Sequence, residues 1–452
     1  MSARLVDSLA TTPALAEVFG DESVLRAMLE FEAGLARAEA ACGVIPREAG
    51  EAITVAASSA VFDLAALADA AFRAGTPSIP LVKMLTDQVR TSNAEAARYV
   101  HWGATSQDVA DSAMSILLKQ ALPILESDCS RLEKALQKLS EQHKGSVMVG
   151  RTLLQSAPPV TFGLKTAGWL ASARRGRRRL ERGFREAAVL QFGGASGTLA
   201  SLGDRGADVS KALGKELGLE VSSAPWHSQR ENVATFVCAC GVMTASLGKM
   251  ARDISLLMQN EVGEASEAGG DGRGGSSTMP NKRNPTACTL TLAAAHRVPG
   301  LVASFLSAMV QEHERAVGGW QAEWPVIASV VQSTGVAIAS MAEAAEGLTV
   351  DTEKMRVNLA STNGLIFAER AMLLLGSRVG RDVAHRMVEA AAAKSVKEGK
   401  TLASILTGDP EAKENLSPDE LKQLEIPEEY LGSAEVFRER LLAEATRDDE
   451  ER

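Results

Sequence analysis

Tyrosine occurs only twice in 452 residues, and aromatic side chains together make up 4% of the chain. Sheets draw on aromatic and β-branched residues. This sequence is rich instead in alanine, leucine and glutamate, which favour helix. No alternation of apolar and polar residues with period two persists anywhere, so almost no sheet is expected. Cysteine is scarce as well. Cys42, Cys129, Cys238, Cys240 and Cys288 are odd in number and irregularly spaced, with no Cys-x-x-Cys pair and no histidine cluster beside them. That argues against a disulfide frame and against a zinc site, and predicts reduced core thiols in a reducing compartment. An excess of positive charge is missing too: the formal net charge is -9, which argues against broad nucleic-acid binding. The one basic run, ARRGRRRLER at 173–182, reads as a solvated or subunit-facing helix surface. The opening MSARLVDSLATTPALAEVF has no long apolar core and carries an acid early, so no signal peptide is expected. Two uncharged stretches, Val233–Gly248 and Trp324–Ala342, are diluted with serine, threonine, glycine or glutamine, and read as buried bundle helices. A cytoplasmic protein with neither membrane nor nucleic acid as partner is the expectation.

What the chain does have is helical period. Leu118, Leu122, Leu125, Cys129, Leu132, Leu136 and Leu139 alternate steps of four and three, and so do Phe236, Cys240, Met243, Leu247, Met250, Ile254 and Leu257. Runs of this kind mark long helices with one buried seam; Pro123 should kink the first. Further helices are predicted near 161–190, 286–311 and 322–348, with small residues suited to close helix contact. The centre therefore reads as a bundle of about five long helices and the chain as all-α. The first hundred residues form shorter helices broken at CGVIP and AGTPSIP. After about residue 350 the sequence turns polar and turn-rich. Domains at 1–107, 108–350 and 351–452 follow.

Three stretches break the helical pattern, and function is sought there. In Tyr99–Ser112, YVHWGATSQDVADS, Thr105 or Ser106 can cap a helix whose free amides favour a carboxylate; a plain N-cap is the simpler reading, and His101 alone reads as a satisfied structural histidine. In Val149–Gly163, VGRTLLQSAPPVTFG, Arg151 can pair with an acid of the protein or of a ligand. The third stretch, Gly269–Pro285, GGDGRGGSSTMPNKRNP, puts five glycines and three cations into a short segment. It is neither a P-loop nor a dinucleotide turn, lacking the Gly-Lys-Ser/Thr and a preceding strand. It reads as a mobile lid that brings hydroxyls and cations over an anionic substrate.

Taken together, these stretches resemble the fumarase/aspartase superfamily, whose signature loop is Gly-Ser-Ser-x-Met-Pro-x-Lys-x-Asn-Pro; Gly275–Pro285 matches every fixed position. HWGATSQD resembles the first signature region and GRTLLQSAPPVTFG the second. Within the superfamily the segments FEAGLARAEA, IPLVKML, LQFGGASGT, APWHSQR, GKMARDISLLMQNE and QEHERAVGGWQAEW are similar to those of bacterial carboxymuconate cycloisomerases. The resemblance implies a three-domain fold with a central bundle, a homotetramer with composite active sites, and a small polycarboxylate substrate. It also implies that no metal or organic cofactor is used.

Carried onto this chain, the resemblance makes Ser276 the catalytic serine, with Lys282 beside it. Lys282 and Asn284 would hold substrate carboxylates or the enolate-like intermediate. His101, Thr105, Ser106, Gln107, Arg151, Gln155, Ser156, Ser277, Met279 and Arg315 would form the rest of the binding set. Arg230 and Arg283 add to the local cations. The implied reaction closes 3-carboxy-cis,cis-muconate to a carboxymuconolactone. Ser156 stands where many relatives carry histidine, and Leu153 replaces a histidine or aromatic residue. Those departures leave open a sister lyase that releases fumarate from a succinate-type adduct. A catalytically silent structural member is the third reading, against which the intact Ser276, Lys282 and Asn284 stand.

Overall fold

In the computed structural model the described residues are 5–269, 274–275, 278–279 and 281–444. The protein is all-α, 71% helical. Its five longest helices are Ser106–Gln142, Phe162–Ala187, Glu231–Leu257, Thr286–Ala308 and Gly319–Glu346. The seam from Phe236 to Leu257 is buried at all of its predicted positions. The seam from Leu118 to Leu139 is buried at all but the half-buried Leu122. Helix continues through Pro123, because the packed seam on both sides outweighs one missing N–H. The basic run lies on Phe162–Ala187, where Arg177 pairs with Glu181 and Arg182 with Glu186 one turn on.

By contact the chain divides into two units, and each long helix contributes residues to both. One gathers the described residues up to Ser130 with Arg175–Lys249 and Thr289–Met341. Its helices approach closely through small residues. A Cβ on Gly335 would stand 2.1 Å from Leu15 Cδ1, and one on Gly248 would stand 2.6 Å from Ala295 Cβ. The hydroxyls of Thr244 and Thr334 lie 3.0 Å apart. In the same unit Asp21–Ala41 packs on Arg47–Ser59 and on Gly206–Leu217.

The other unit gathers Arg131–Arg174, Met250–Cys288 and the described residues from Ala342 on. Its core includes Val147, Val149, Phe367, Leu375, Leu402 and Leu424. Against that core lies the longest strand pairing among the described residues, an antiparallel hairpin of Val147–Thr152 and Gln155–Thr161. The hairpin carries an irregularity at Val149/Gly150.

Glu231–Leu257 and Gly319–Glu346 are long and apolar enough to cross a membrane by length and composition, but 61% and 72% of their apolar windows are buried inside the protein. The equivalent window of Thr286–Ala308 is only 22% buried.

Candidate active site

The predicted residues fall into two sets, one in each unit. In the first unit the long helix begins at Ser106, which makes Thr105 its cap position. The Thr105 carbonyl accepts from the amides of Asp108 and Val109 at 3.0 and 3.4 Å. Its own N–H donates to Asp108 Oδ2 at 3.0 Å. The Thr105 hydroxyl, free of any amide, accepts instead from the Arg315 guanidinium at 2.6 Å, and the Ser106 hydroxyl accepts from it at 3.2 Å. Among the described residues no carboxylate pairs with Arg315. A cation at the positive end of a helix is unfavourable by itself. Here it concentrates positive potential where a carboxylate would satisfy guanidinium, hydroxyls and helix end together.

His101 lies four residues upstream, at φ +59°. Its Nδ1 is 2.7 Å from Glu32 Oε1, on the helix Asp21–Ala41. Burial pulls the imidazole down, but the charge and hydrogen bond of Glu32, with the charge of Asp108, hold it above its ordinary value. Gln107 is fully buried. Its amide donates to Asp111 Oδ2 at 3.2 Å and to the His227 carbonyl at 2.8 Å, so it faces the interior beneath the helix start.

That interior is a polar floor. Asp108 takes the amides of Gly193 and Gly194 at 3.0 and 2.9 Å and His227 Nε2 at 2.7 Å. Arg230, expected among the substrate-attracting cations, is buried instead. It pairs with both oxygens of Asp111 at 2.8 and 3.1 Å and with Glu323 at 2.8 Å, under the Trp226 ring. Two internal carboxylates compensate its charge, which makes it a structural cation.

In the second unit Arg151 meets an acid of the protein: its guanidinium grips Glu264 with two bonds of 2.8 and 2.7 Å. Buried Glu264 also accepts from Asn358 at 2.7 Å. Gln155 and Ser156 are exposed at the start of the second hairpin strand, opposite Thr152 and Arg151. The two-residue turn between the strands is Leu153–Leu154, at φ +50° and +64°, with exposures of 96% and 78%.

Of the glycine-rich loop, Ser276 and Ser277 lie outside the described residues. Its described part closes on Asn284, whose amide donates to the Gly274 carbonyl at 2.8 Å and whose side chain donates to the Gly275 carbonyl at 3.1 Å. Gly274 needs its missing side chain: φ is +69°, and a Cβ would stand 3.0 Å from the Asn284 carbonyl oxygen. Lys282 donates its backbone N–H to the Met279 carbonyl at 3.0 Å. The side chains of Lys282 and Arg283 are exposed, with no carboxylate partner among the described residues. Met279 is half exposed.

Sequence reasoning missed three acids that hold these parts. Glu32 carries His101, and Asp108 ties the helix start to Gly193 and Gly194. Glu267 accepts the amides of Ala287 and Cys288 at 3.0 and 2.9 Å, capping the helix that follows the loop. Burial and the neighbouring Glu267 push the Cys288 thiol well up, so it stays protonated. A signal for Glu32 existed, since it lies within the apolar stripe of an amphipathic helix, where an acid needs a reason. A groove of 680 Å³ lined by Leu25, Leu29, Ala33, Val61, Phe62 and Leu64, among others, contains none of the predicted residues.

Comparison with known proteins places this geometry. A lyase family model matches residues 8–300, and a model of the adenylosuccinate lyase C-terminus matches residues 364–441. The 3-carboxy-cis,cis-muconate cycloisomerase of Bradyrhizobium diazoefficiens is 47% identical over 98% of this chain and 98% of its own. That of Pseudomonas aeruginosa is 46% identical over 98% of this chain and 96% of its own. The crystal structure of the 3-carboxy-cis,cis-muconate lactonizing enzyme from Pseudomonas putida superposes with a TM-score of 0.91 at 43% identity, covering 98% of this chain and 99% of the other. With a signature loop matched at every fixed position, an all-helical fold and full-length relatives of this likeness, the chain belongs to the lyase family of the fumarase/aspartase superfamily and is an enzyme.

Proposed function

We propose that the protein is a cycloisomerase that converts 3-carboxy-cis,cis-muconate to a carboxymuconolactone in the cytoplasm, by acid–base chemistry through an enolate-like intermediate. The observation that carries this reading is the 47% identity to a cycloisomerase over 98% of both chains. Geometry adds a second support: an Arg315 guanidinium with no acid partner among the described residues, cradled by Thr105 and Ser106 at a helix end.

The reaction is a rearrangement with nothing lost. One substrate carboxylate oxygen attacks a carbon of the conjugated diene. The displaced electron pair moves toward a second carboxylate, which becomes a dianionic enolate, and a proton then arrives on the adjacent carbon. The barrier lies in that dianion, so fixed positive groups matter most. Arg315, with the hydroxyls of Thr105 and Ser106, holds one carboxylate while Gln107 supports the helix start from below. Lys282 faces the developing dianion, and Ser276 delivers the carbon-bound proton. Arg151 and Asn284 hold the hairpin and the loop in shape, while Gln155, Ser156, Ser277 and Met279 line the substrate. The family resemblance implies a homotetramer as the working enzyme, with neighbouring subunits completing each site.

The test follows loss of the diene absorbance when purified enzyme meets 3-carboxy-cis,cis-muconate. Rapid loss is expected, with Ser276→Ala lowering turnover by about 10²–10⁴-fold and leaving the assembly intact. No loss of absorbance, together with fumarate release from a succinate-type adduct, would replace cyclisation by elimination. Full turnover in Ser276→Ala would remove the serine from its role.

A further inference from the structure

Glu32 has no role in the mechanism above, yet its placement is costly. Its side chain is fully buried on Asp21–Ala41, with one oxygen 2.7 Å from His101 Nδ1 and the other without a partner. Burying a carboxylate is costly unless it is paired. His101 in turn adopts a left-handed backbone at φ +59°, which strains a non-glycine residue. Each strain brings one half of the contact into place, and Arg315 grips the same loop four residues further on, at Thr105.

Resting on the cyclisation reading, we propose that Glu32 is a positioning residue of the reaction: it holds His101 by Nδ1 as an imidazolium, so that the Nε2–H joins Arg315 in binding a substrate carboxylate. The imidazole keeps 18% of its side-chain surface open, while the carboxylate behind it keeps none. A buried acid behind a partly open ring can orient and charge that ring and leave its other nitrogen for a ligand.

Among the described residues, Glu32 and Asp108 are the charged groups that act on His101. Glu32 lies behind it, and Glu39, two turns along the same helix, interacts with Glu32. Asp108 faces it from the start of the long helix, but that carboxylate is occupied by His227 and three backbone amides. Glu32 is therefore the counter-charge that decides the ring's state. A purely structural pair would only tie the loop to the helix, and its loss would damage turnover equally at every pH.

Two readouts on the intact enzyme separate these cases. Histidine labelled with ¹³C at Cε1 gives one resonance for each of the six histidines, and His101→Asn identifies the one of interest; asparagine accepts a left-handed backbone readily. In Glu32→Gln the His101 midpoint is expected to fall. The KM for 3-carboxy-cis,cis-muconate is expected to rise about tenfold at pH 8 and return toward the parent value near pH 6, with kcat changing less than about threefold. Glu32→Asp, which keeps the charge, should restore part of the loss. An unchanged midpoint, or a loss of kcat and KM alike at all pH values, overturns the proposal. If Glu32→Gln does not fold, His101→Asn decides: its KM should no longer depend on pH across this range, and a parental profile overturns the role. A parent enzyme that does not turn over the muconate sinks the activity, and this role with it. The labelled titration then still reports whether Glu32 sets the charge of His101, so the two failures are told apart.

Discussion

At the scale of single residues, the sequence names the side chains but not their partners. Arg315, Arg230 and Arg151 read alike along the chain, as cations beside matching motifs. In the structure Arg230 is neutralised by Asp111 and Glu323, Arg151 by Glu264, and Arg315 meets hydroxyls and, among the described residues, no carboxylate. Partner choice is a matter of which helix passes next to which, and that is not written locally. Glu39 shows the same gap. It is buried with both carboxyl oxygens unpaired; burial first, then the charge of Glu32, push its pKa up to about 9 from 4.5. In the unfolded chain it ionises near 4.5, so between the two values unfolding releases a proton. This contribution to stability is therefore complete at acid pH and lost as pH rises through the folded value. From pH 5 to pH 7.5 the loss is about 3 kcal/mol at ~1.4 kcal/mol per unit. Glu39→Gln should flatten that decline, measured as urea unfolding midpoints at pH 5 and pH 8. A variant whose midpoint falls with pH as steeply as the parent's would show that Glu39 ionises normally.

At the scale of elements, helices were legible and the hairpin was not. Seven apolar positions in succession at helical period leave little choice, and both seams are buried as the spacing required, save for the half-buried Leu122. The hairpin Val147–Thr161 gives no such signal. Gly150 and the pair Pro158–Pro159 interrupt it, and its turn uses two leucines where asparagine and glycine are usual. Leu153 and Leu154 both sit at positive φ and leave their apolar side chains in the open, an arrangement with no merit for folding. The double variant Leu153→Asn/Leu154→Gly should relieve about 1–2 kcal/mol of strain and raise the thermal midpoint by a few degrees. Turnover should fall in the same variant, because Gln155 and Ser156, proposed to line the substrate, directly follow the tip. A stabilised enzyme with unchanged turnover would show the tip to be idle.

At the scale of the whole molecule, one helix is left unfinished. Thr286–Ala308 is as apolar as a membrane span, yet only 22% of its window is buried within the chain. Leu306, on its C-terminal turn, is 41% exposed. Other copies of the chain cover such a surface at least cost, in keeping with the proposed tetramer. Light scattering should give four subunits for the parent. Leu306→Arg should split the assembly and lose nearly all turnover, while circular dichroism stays helical. An active monomer would end the idea of shared sites.

The sequence by itself determined the class of this protein: helical period makes the seams, scarce aromatics leave little sheet to build, and a loop matched at every fixed position identifies the superfamily. These are local properties, carried by spacing and residue type. Only the tertiary structure decided which charges are spent inside and which stay free. It put Glu32 behind His101, Asp111 and Glu323 around Arg230, and the hydroxyls of Thr105 and Ser106 against Arg315. Electrostatic roles depend on distance and burial, and for residues 69 to 210 positions apart those exist only once the chain has folded.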